Sequence, residues 1–189
     1  MSKATRRLAL YGGTFDPVHH GHLILARDAI ERLQLDGVVF IPAGISPHKL
    51  ESASTPAHLR REMLELAIAG EPRFSMDDCE LRREGPSFTV DTVESLRARH
   101  PDTEFFYLVG DDNAAKLHTW HRFEDLRRLV QFVVFHRAES AVPHAYTNLP
   151  RRIDISATEI RERIAHGASI RYLIPETVRE FIEHHSLYR

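Results

Sequence analysis

The chain of 189 residues contains a single cysteine, Cys79, so no internal disulfide can staple it, and no Cys/His pairs stand at zinc-binding spacing. Stability has to come from a packed core, and the expected compartment is the reducing cytoplasm. A charge excess is missing too. Net charge is −2 with histidines neutral, which argues against the broad basic field that collects nucleic-acid polymers. Any phosphate ligand must then be held by local groups. Long apolar runs are also lacking: the stretch MSKATRRLALYGG carries only Leu8–Tyr11 before its glycines, too little for a signal peptide or a membrane span. The expectation is a cytoplasmic protein without a membrane partner. Internal repeats and low-complexity segments are absent as well.

At 42% hydrophobic residues, the chain can bury one full core with a small lobe attached. Apolar runs at Leu8–Tyr11, Val38–Ile41, Phe105–Val109 and Gln131–Phe135 are short and rich in β-branched or aromatic residues, as buried strands are. Between them, Leu23–Leu33, His58–Ala69, Thr89–Arg99 and Phe123–Leu129 show apolar residues three and four apart, the period of amphipathic helices. This alternation predicts an α/β fold, a Rossmann-like doubly wound parallel sheet with right-handed crossovers and ligands at the carboxyl ends of its strands. The last forty or so residues differ. Ser156–His166 and Glu176–His184 read as helices with no strand between them. Residues 1–150 are thus expected to form the α/β core and residues 151–189 a helical region closing over its ligand edge, in one compact domain. Ser46–Thr55 and Ala138–Pro150 read as polar loops.

The strongest local signal is GGTFDPVHHGHL, Gly12 to Leu23, between the first strand and the first helix. Gly12 and Gly13 allow a sharp turn and close approach of the backbone to a ligand. A helix opening near Gly21 offers N–H groups and a positive dipole end to an anion. His19 and His22 stand three apart at that mouth, where imidazoles can donate to phosphate oxygens that gain charge during transfer. A metal site is the alternative for this pair, but no cysteine accompanies them and the intervening glycine suits a loop. His20, among thirteen histidines, is assigned no role. Here the chain resembles the nucleotidyltransferase superfamily marked by a histidine-x-glycine-histidine signature. The resemblance implies that His19 contacts the attacked phosphoryl group and His22 the neighbouring phosphates. It also implies that Gly12, Gly13, Thr14 and Phe15 line the ATP site.

A second signal lies in DISATEIRERI, Asp154 to Ile164. Ser156 is placed to cap a helix and Glu159 follows three residues later, while Thr158 and Arg161 add a hydroxyl and a guanidinium to its first turns. Alone this is a good helix start. It is also similar to the serine-x-threonine-x-x-arginine signature of the same superfamily, which implies that Ser156, Thr158 and Arg161 complete the ATP site.

Three further stretches resemble bacterial nicotinate mononucleotide adenylyltransferases. IPAGISPHK places His48 and Lys49 where the acceptor's phosphate is expected. ELRREGPSFTVDT places Ser87, Phe88 and Thr89 around a helix start that can receive the nicotinate carboxylate; the family often has tyrosine where this chain has Phe88. FYLVGDDNAAKLHTWHRFEDL places Asp112 to accept from ribose hydroxyls on the ATP side, and Trp120 to stack on the pyridine ring or, as the plainer reading, to anchor the core. Arg137 matches a family arginine near the acceptor phosphate, although Ala138 and Glu139 replace the usual proline and glycine. Asp16 reads as structural.

The resemblance implies transfer of AMP from ATP to nicotinic acid mononucleotide, giving nicotinic acid adenine dinucleotide and pyrophosphate, a step of NAD biosynthesis. The acceptor phosphate is ionised already, so alignment and charge stabilisation suffice. Mg2+ is expected on the ATP phosphates rather than in a carboxylate cage. Trp120, Thr89 and the N–H groups before them offer donors and no side-chain carboxylate, which favours nicotinate over nicotinamide. A phosphopantetheine adenylyltransferase, another member of the superfamily, or a nucleotide-binding module without turnover are the alternatives. Self-association into a homo-oligomer is left open.

Overall fold

The computed structural model describes residues 5–44, 54–136 and 146–189. Their elements are β1 (Arg6–Gly13), α1 (His20–Leu33), β2 (Gly37–Pro42), α2 (Ala57–Ile68), β3 (Phe74–Met76), α3 (Thr89–Arg99), β4 (Thr103–Gly110), α4 (Asp111–Ala114), α5 (Phe123–Leu129), β5 (Gln131–His136), β6 (Thr147–Pro150), α6 (Ala157–Ala165) and α7 (Glu176–His184). All neighbouring strands pair in parallel, in the order β3-β2-β1-β4-β5-β6. The order reverses between β1 and β4, so the crevice outside their carboxyl ends is the ligand position of this architecture.

The central strands alternate between two buried faces. Leu8 and Leu10 of β1 join Phe105, Tyr107 and Val109 of β4 and Val93 and Leu126 of α3 and α5 in one cluster. Ala9, Phe106 and Leu108 face the other, with Ala26 and Ile30 of α1, Met63 and Leu64 of α2, Ile160 of α6 and Val178 of α7. Burial on both faces explains why these strands read as unbroken apolar runs. The C-terminal helices are integral to this second cluster, and α7 packs directly on α2.

Four predicted strands and all six predicted helices are present. The expected Ala138–Pro150 loop ends instead in β6, and β3 was not legible. Both are edge strands, β6 of four residues that are largely exposed and β3 of only three, too short for a period-2 pattern to be read. None of the described helices is long and apolar enough to cross a membrane.

Ile160 is fully buried and is the only buried residue of α6. Ile160→Ala should lower unfolding free energy by about 2–5 kcal/mol, measured by urea denaturation. A loss below about 1 kcal/mol would mean that α6 is not anchored through this side chain.

Candidate active site

Gly12 and Gly13 end β1 at the switch point. A Cβ on Gly12 would lie 2.4 Å from the Tyr107 hydroxyl, and one on Gly13 would lie 2.9 Å from the Phe15 ring. Close approach, not left-handed backbone, therefore demands these glycines. The positive φ of the turn falls on Phe15, at 49°, with its side chain 2% exposed.

His19 caps α1 in extended conformation and is 6% exposed. Its ring stacks on His22, with centroids 3.7 Å apart and planes 25° from parallel. Gly21 makes room for this stack, since a Cβ there would lie 2.9 Å from His19 Nδ1. The His19 N–H donates to His22 Nδ1 at 3.2 Å. A neutral imidazole accepting at Nδ1 carries its proton on Nε2, so the bond turns a donor outward. His22 lines the cavity and meets the edge of Phe15 at 5.0 Å. The helix mouth is less open than expected. The His19 N–H is taken by His22, and the His20 N–H donates to the Leu173 carbonyl at 3.0 Å.

Asp16 fastens this loop to three distant segments. Its Oδ1 accepts from the Tyr188 hydroxyl at 2.6 Å, its Oδ2 from the Thr55 N–H at 3.0 Å, and its backbone carbonyl from Arg161 Nη1 at 2.8 Å. Arg60, 2% exposed, donates to the carbonyls of Thr14 and Thr55 at 2.8 and 2.9 Å. Burial pulls its guanidinium below the ordinary arginine value, and the Asp16 charge opposes that shift. Burial and Asp16 push the Tyr188 phenol well above its ordinary value, so it stays a donor.

The second motif arrives at the same loop. Ser156 caps α6, its hydroxyl accepting from the Glu159 N–H at 3.1 Å. Arg161 reaches the Asp16 carbonyl and donates to Thr158 Oγ1 at 3.2 Å. The fold thus joins two motifs far apart in sequence, although Ser156, Thr158 and Arg161 do not line the cavity itself.

The cavity holds about 370 Å³. Gly12, Gly13, Thr14 and His22 line it together with Ser87, Phe88, Thr89, Trp120 and His121. Thr89 begins α3, after Phe88 in cap position. Phe88 lies against His121, ring centroids 4.4 Å apart, and Trp120 meets Tyr107 edge-on at 5.8 Å. Trp120 lines the cavity and packs on a core cluster. Asp112 is exposed and off the cavity lining; its neighbour Asn113 lines the cavity, and Asp111 pairs with the buried His136. His48, Lys49 and Arg137 lie outside the described residues.

The sequence reading missed Tyr107 and Glu80. Tyr107 hides in a buried strand, where its phenol could not be told from core. Glu80 corrects an expectation outright: a side-chain carboxylate does line the cavity. Burial pushes Glu80 above the ordinary carboxylate range. Cys79 beside it is no nucleophile, its thiol pushed up to about 12 by burial.

A parallel sheet with a switch-point cavity, a glycine turn and paired histidines at a helix mouth defines a nucleotide-handling enzyme. Residues 10–163 match the cytidylyltransferase-like family model, and the chain belongs to that family of nucleotidyltransferases. A Geobacillus thermodenitrificans protein named "Probable nicotinate-nucleotide adenylyltransferase" is 45% identical over 96% of this chain and 86% of its own length. One of the same name from Lactiplantibacillus plantarum is 41% identical over 97% and 88%. The solved structure of Plasmodium falciparum nicotinic acid mononucleotide adenylyltransferase complexed with NaAD superposes with a TM-score of 0.78, covering 97% of both chains at 19% identity, a likeness of fold.

Tyr188→Phe should cost about 1–3 kcal/mol, the penalty for leaving a buried acceptor short of a donor. A thermal or urea melt identical to that of the parent would show that Asp16 does not depend on this contact.

Proposed function

We propose that the chain transfers AMP from ATP to the 5′-phosphate of nicotinic acid mononucleotide, forming nicotinic acid adenine dinucleotide and releasing pyrophosphate. The observation that carries this reading is one cavity lined both by the glycine turn and His22 and by the aromatic and hydroxyl-bearing side chains of Ser87, Phe88, Thr89 and Trp120. Relatives bearing the nicotinate-nucleotide adenylyltransferase name support it across nearly the whole chain.

In this reading the acceptor's phosphate oxygen attacks the α-phosphorus of ATP, a P–O bond forms, and the bond to pyrophosphate breaks. No protein base is needed, because the attacking phosphate is already ionised. Gly12, Gly13, Thr14 and Phe15 shape the turn along which the phosphates lie. His22 donates from Nε2 to oxygens gaining charge, and His19 holds and backs that ring. Arg161, Thr158 and Ser156 guard the outer-phosphate side, and Asp112 stands for the ribose. Trp120 and Phe88 face the pyridine ring, and Ser87 and Thr89 its carboxylate. His48, Lys49 and Arg137 are proposed for the acceptor phosphate. Among the described residues no three His, Cys, Asp or Glu side chains are grouped to hold a metal ion. Magnesium is therefore proposed to arrive on the ATP phosphates, and no step is routed through it.

Pyrophosphate release, measured with ATP plus nicotinic acid mononucleotide, with ATP plus phosphopantetheine, and with ATP alone, tests the assignment. Release should require the pyridine nucleotide; release with phosphopantetheine alone would overturn it. His19→Ala should fold yet lose about 100- to 1000-fold in turnover, the usual cost of removing one preorganised donor or its support. Near-normal turnover would remove the histidine stack from the mechanism. The Ser87 and Thr89 hydroxyls offer donors to a carboxylate, whereas an amide NH₂ facing them is left unpaired, and Glu80, the carboxylate on the same cavity, has its Oε1 engaged by Thr92. The acid form should therefore exceed the amide by at least roughly tenfold in kcat/KM. Equal efficiency with nicotinamide mononucleotide, at matched ATP and magnesium, would defeat this pocket model alone.

A further inference from the structure

Glu80 is the one carboxylate that lines the cavity among the described residues, and the reaction as written gives it no task. Its surroundings are specific. The Thr92 hydroxyl, on a residue 1% exposed in the first turns of α3, donates to Glu80 Oε1 at 2.9 Å. The Glu80 backbone carbonyl accepts from the Ser87 hydroxyl at 3.5 Å and lies against Gly44, just past the end of β2. Gly44 is pressed so close that a Cβ on it would lie 2.4 Å from the Glu80 carbonyl oxygen and 3.4 Å from Ser87 Oγ. Arg83 donates to Thr92 Oγ1 at 3.1 Å, completing a chain from guanidinium to hydroxyl to carboxylate.

Three pieces of the cavity wall therefore converge on one residue: the turn leaving β2 and the Ser87 segment at its carbonyl, and the start of α3 at its side chain. None is joined to the others by sheet pairing. A hydroxyl aimed at a carboxylate forms a charge-assisted bond, stronger and shorter than a neutral one. We propose that Glu80 is a positioning residue for the acceptor: its carboxylate ties the segment that meets Gly44 and Ser87 to the start of α3, and so sets the spacing between the Ser87–Thr89 wall and the turn that follows β2. The proposal rests on the reading that this wall of the cavity takes the pyridine nucleotide. The Thr92 hydroxyl holds Glu80 Oε1 to the wall of the pocket.

Ionisation adds a signature that a passive structural contact lacks. The titratable and charged groups facing Glu80 are Arg83, which favours the carboxylate, and the Tyr107 phenol and Cys79 thiol, each pushed upward by burial and by Glu80 itself. Burial is the largest influence on Glu80 and raises it. The lock needs the charged form, so it weakens as pH falls through that raised value. Acceptor binding should weaken with it.

Steady-state kinetics on the full chain, with ATP and nicotinic acid mononucleotide varied separately, test this. Glu80→Ala should raise the acceptor KM about tenfold, as loss of one charge-assisted hydrogen bond does, with ATP KM and kcat within about twofold to threefold. Glu80→Gln keeps the volume and one acceptor but not the charge, so its acceptor KM should lie between those of the parent and Glu80→Ala; if Glu80→Ala does not fold, the glutamine variant decides. Its acceptor KM should also lose the acid-side rise seen in the parent, after the acceptor phosphate's own titration, common to both, is set aside. An unchanged acceptor KM, an equal rise in both KM values, or an acid limb intact in Glu80→Gln would each overturn the proposal. Failure of the parent itself to use nicotinic acid mononucleotide would instead overturn the functional reading on which it rests.

Discussion

The organisation of the active site depends on one buried carboxylate. Asp16, 8% exposed, is where the C-terminal Tyr188, the segment entering α2 at Thr55 and the Arg161 side chain of α6 meet. A carboxylate out of water is tolerated only when its oxygens are satisfied. Here the donors that satisfy it come from residues 39 and 172 positions away. The need to solvate one charge thus forces the chain's two ends and its middle to converge beside His19. Arg60 performs the same task for the carbonyls of Thr14 and Thr55 from below. The turn carrying the histidines is consequently held by side chains rather than by sheet hydrogen bonds.

A second constraint is the spacing between β1 and its neighbours. Gly12 sits against the Tyr107 hydroxyl and Gly21 against the His19 ring, each leaving no room for a methyl group. These contacts fix how closely the end of β1 and the mouth of α1 approach their neighbours. Many ion pairs among the described residues, such as those of Arg122 with Glu94 and Asp125, join exposed side chains and add little to stability. The stability resides in the two apolar clusters flanking the sheet, and the polar groups with structural consequence are the few that are buried.

The helical tail shows how these constraints couple to function. Val178, Phe181 and Ile182 of α7 belong to the same buried cluster as α1 and α2, so the tail is not an appendage that docks on a finished core. Through Tyr188 and Leu173 it touches the histidine loop twice, at Asp16 and at the His20 N–H. Completion of the core and closure of the loop are one packing event.

Much of this was legible in the residues. The central strands declared themselves as short β-branched runs because both faces are buried, and the Ser156 cap read correctly because N-capping is a local bond between a hydroxyl and an N–H three residues on. The glycine turn and paired histidines were visible as a motif for the same reason: spacing along a turn is a local property. What tertiary structure decided was every relation across the sheet. β3 and β6 exist because an edge pairs with segments too short to have a signal of their own. The Gly12 and Gly13 requirement came from Tyr107 and Phe15 rather than from the backbone angles that glycine usually serves. Tyr107 could be known as a cavity group only once β4 lay beside β1, and Glu80 only once Gly44 and Thr92 had been brought to it. Apolar period and capping chemistry are written into neighbouring residues, whereas the partners of a buried polar atom are chosen by the fold.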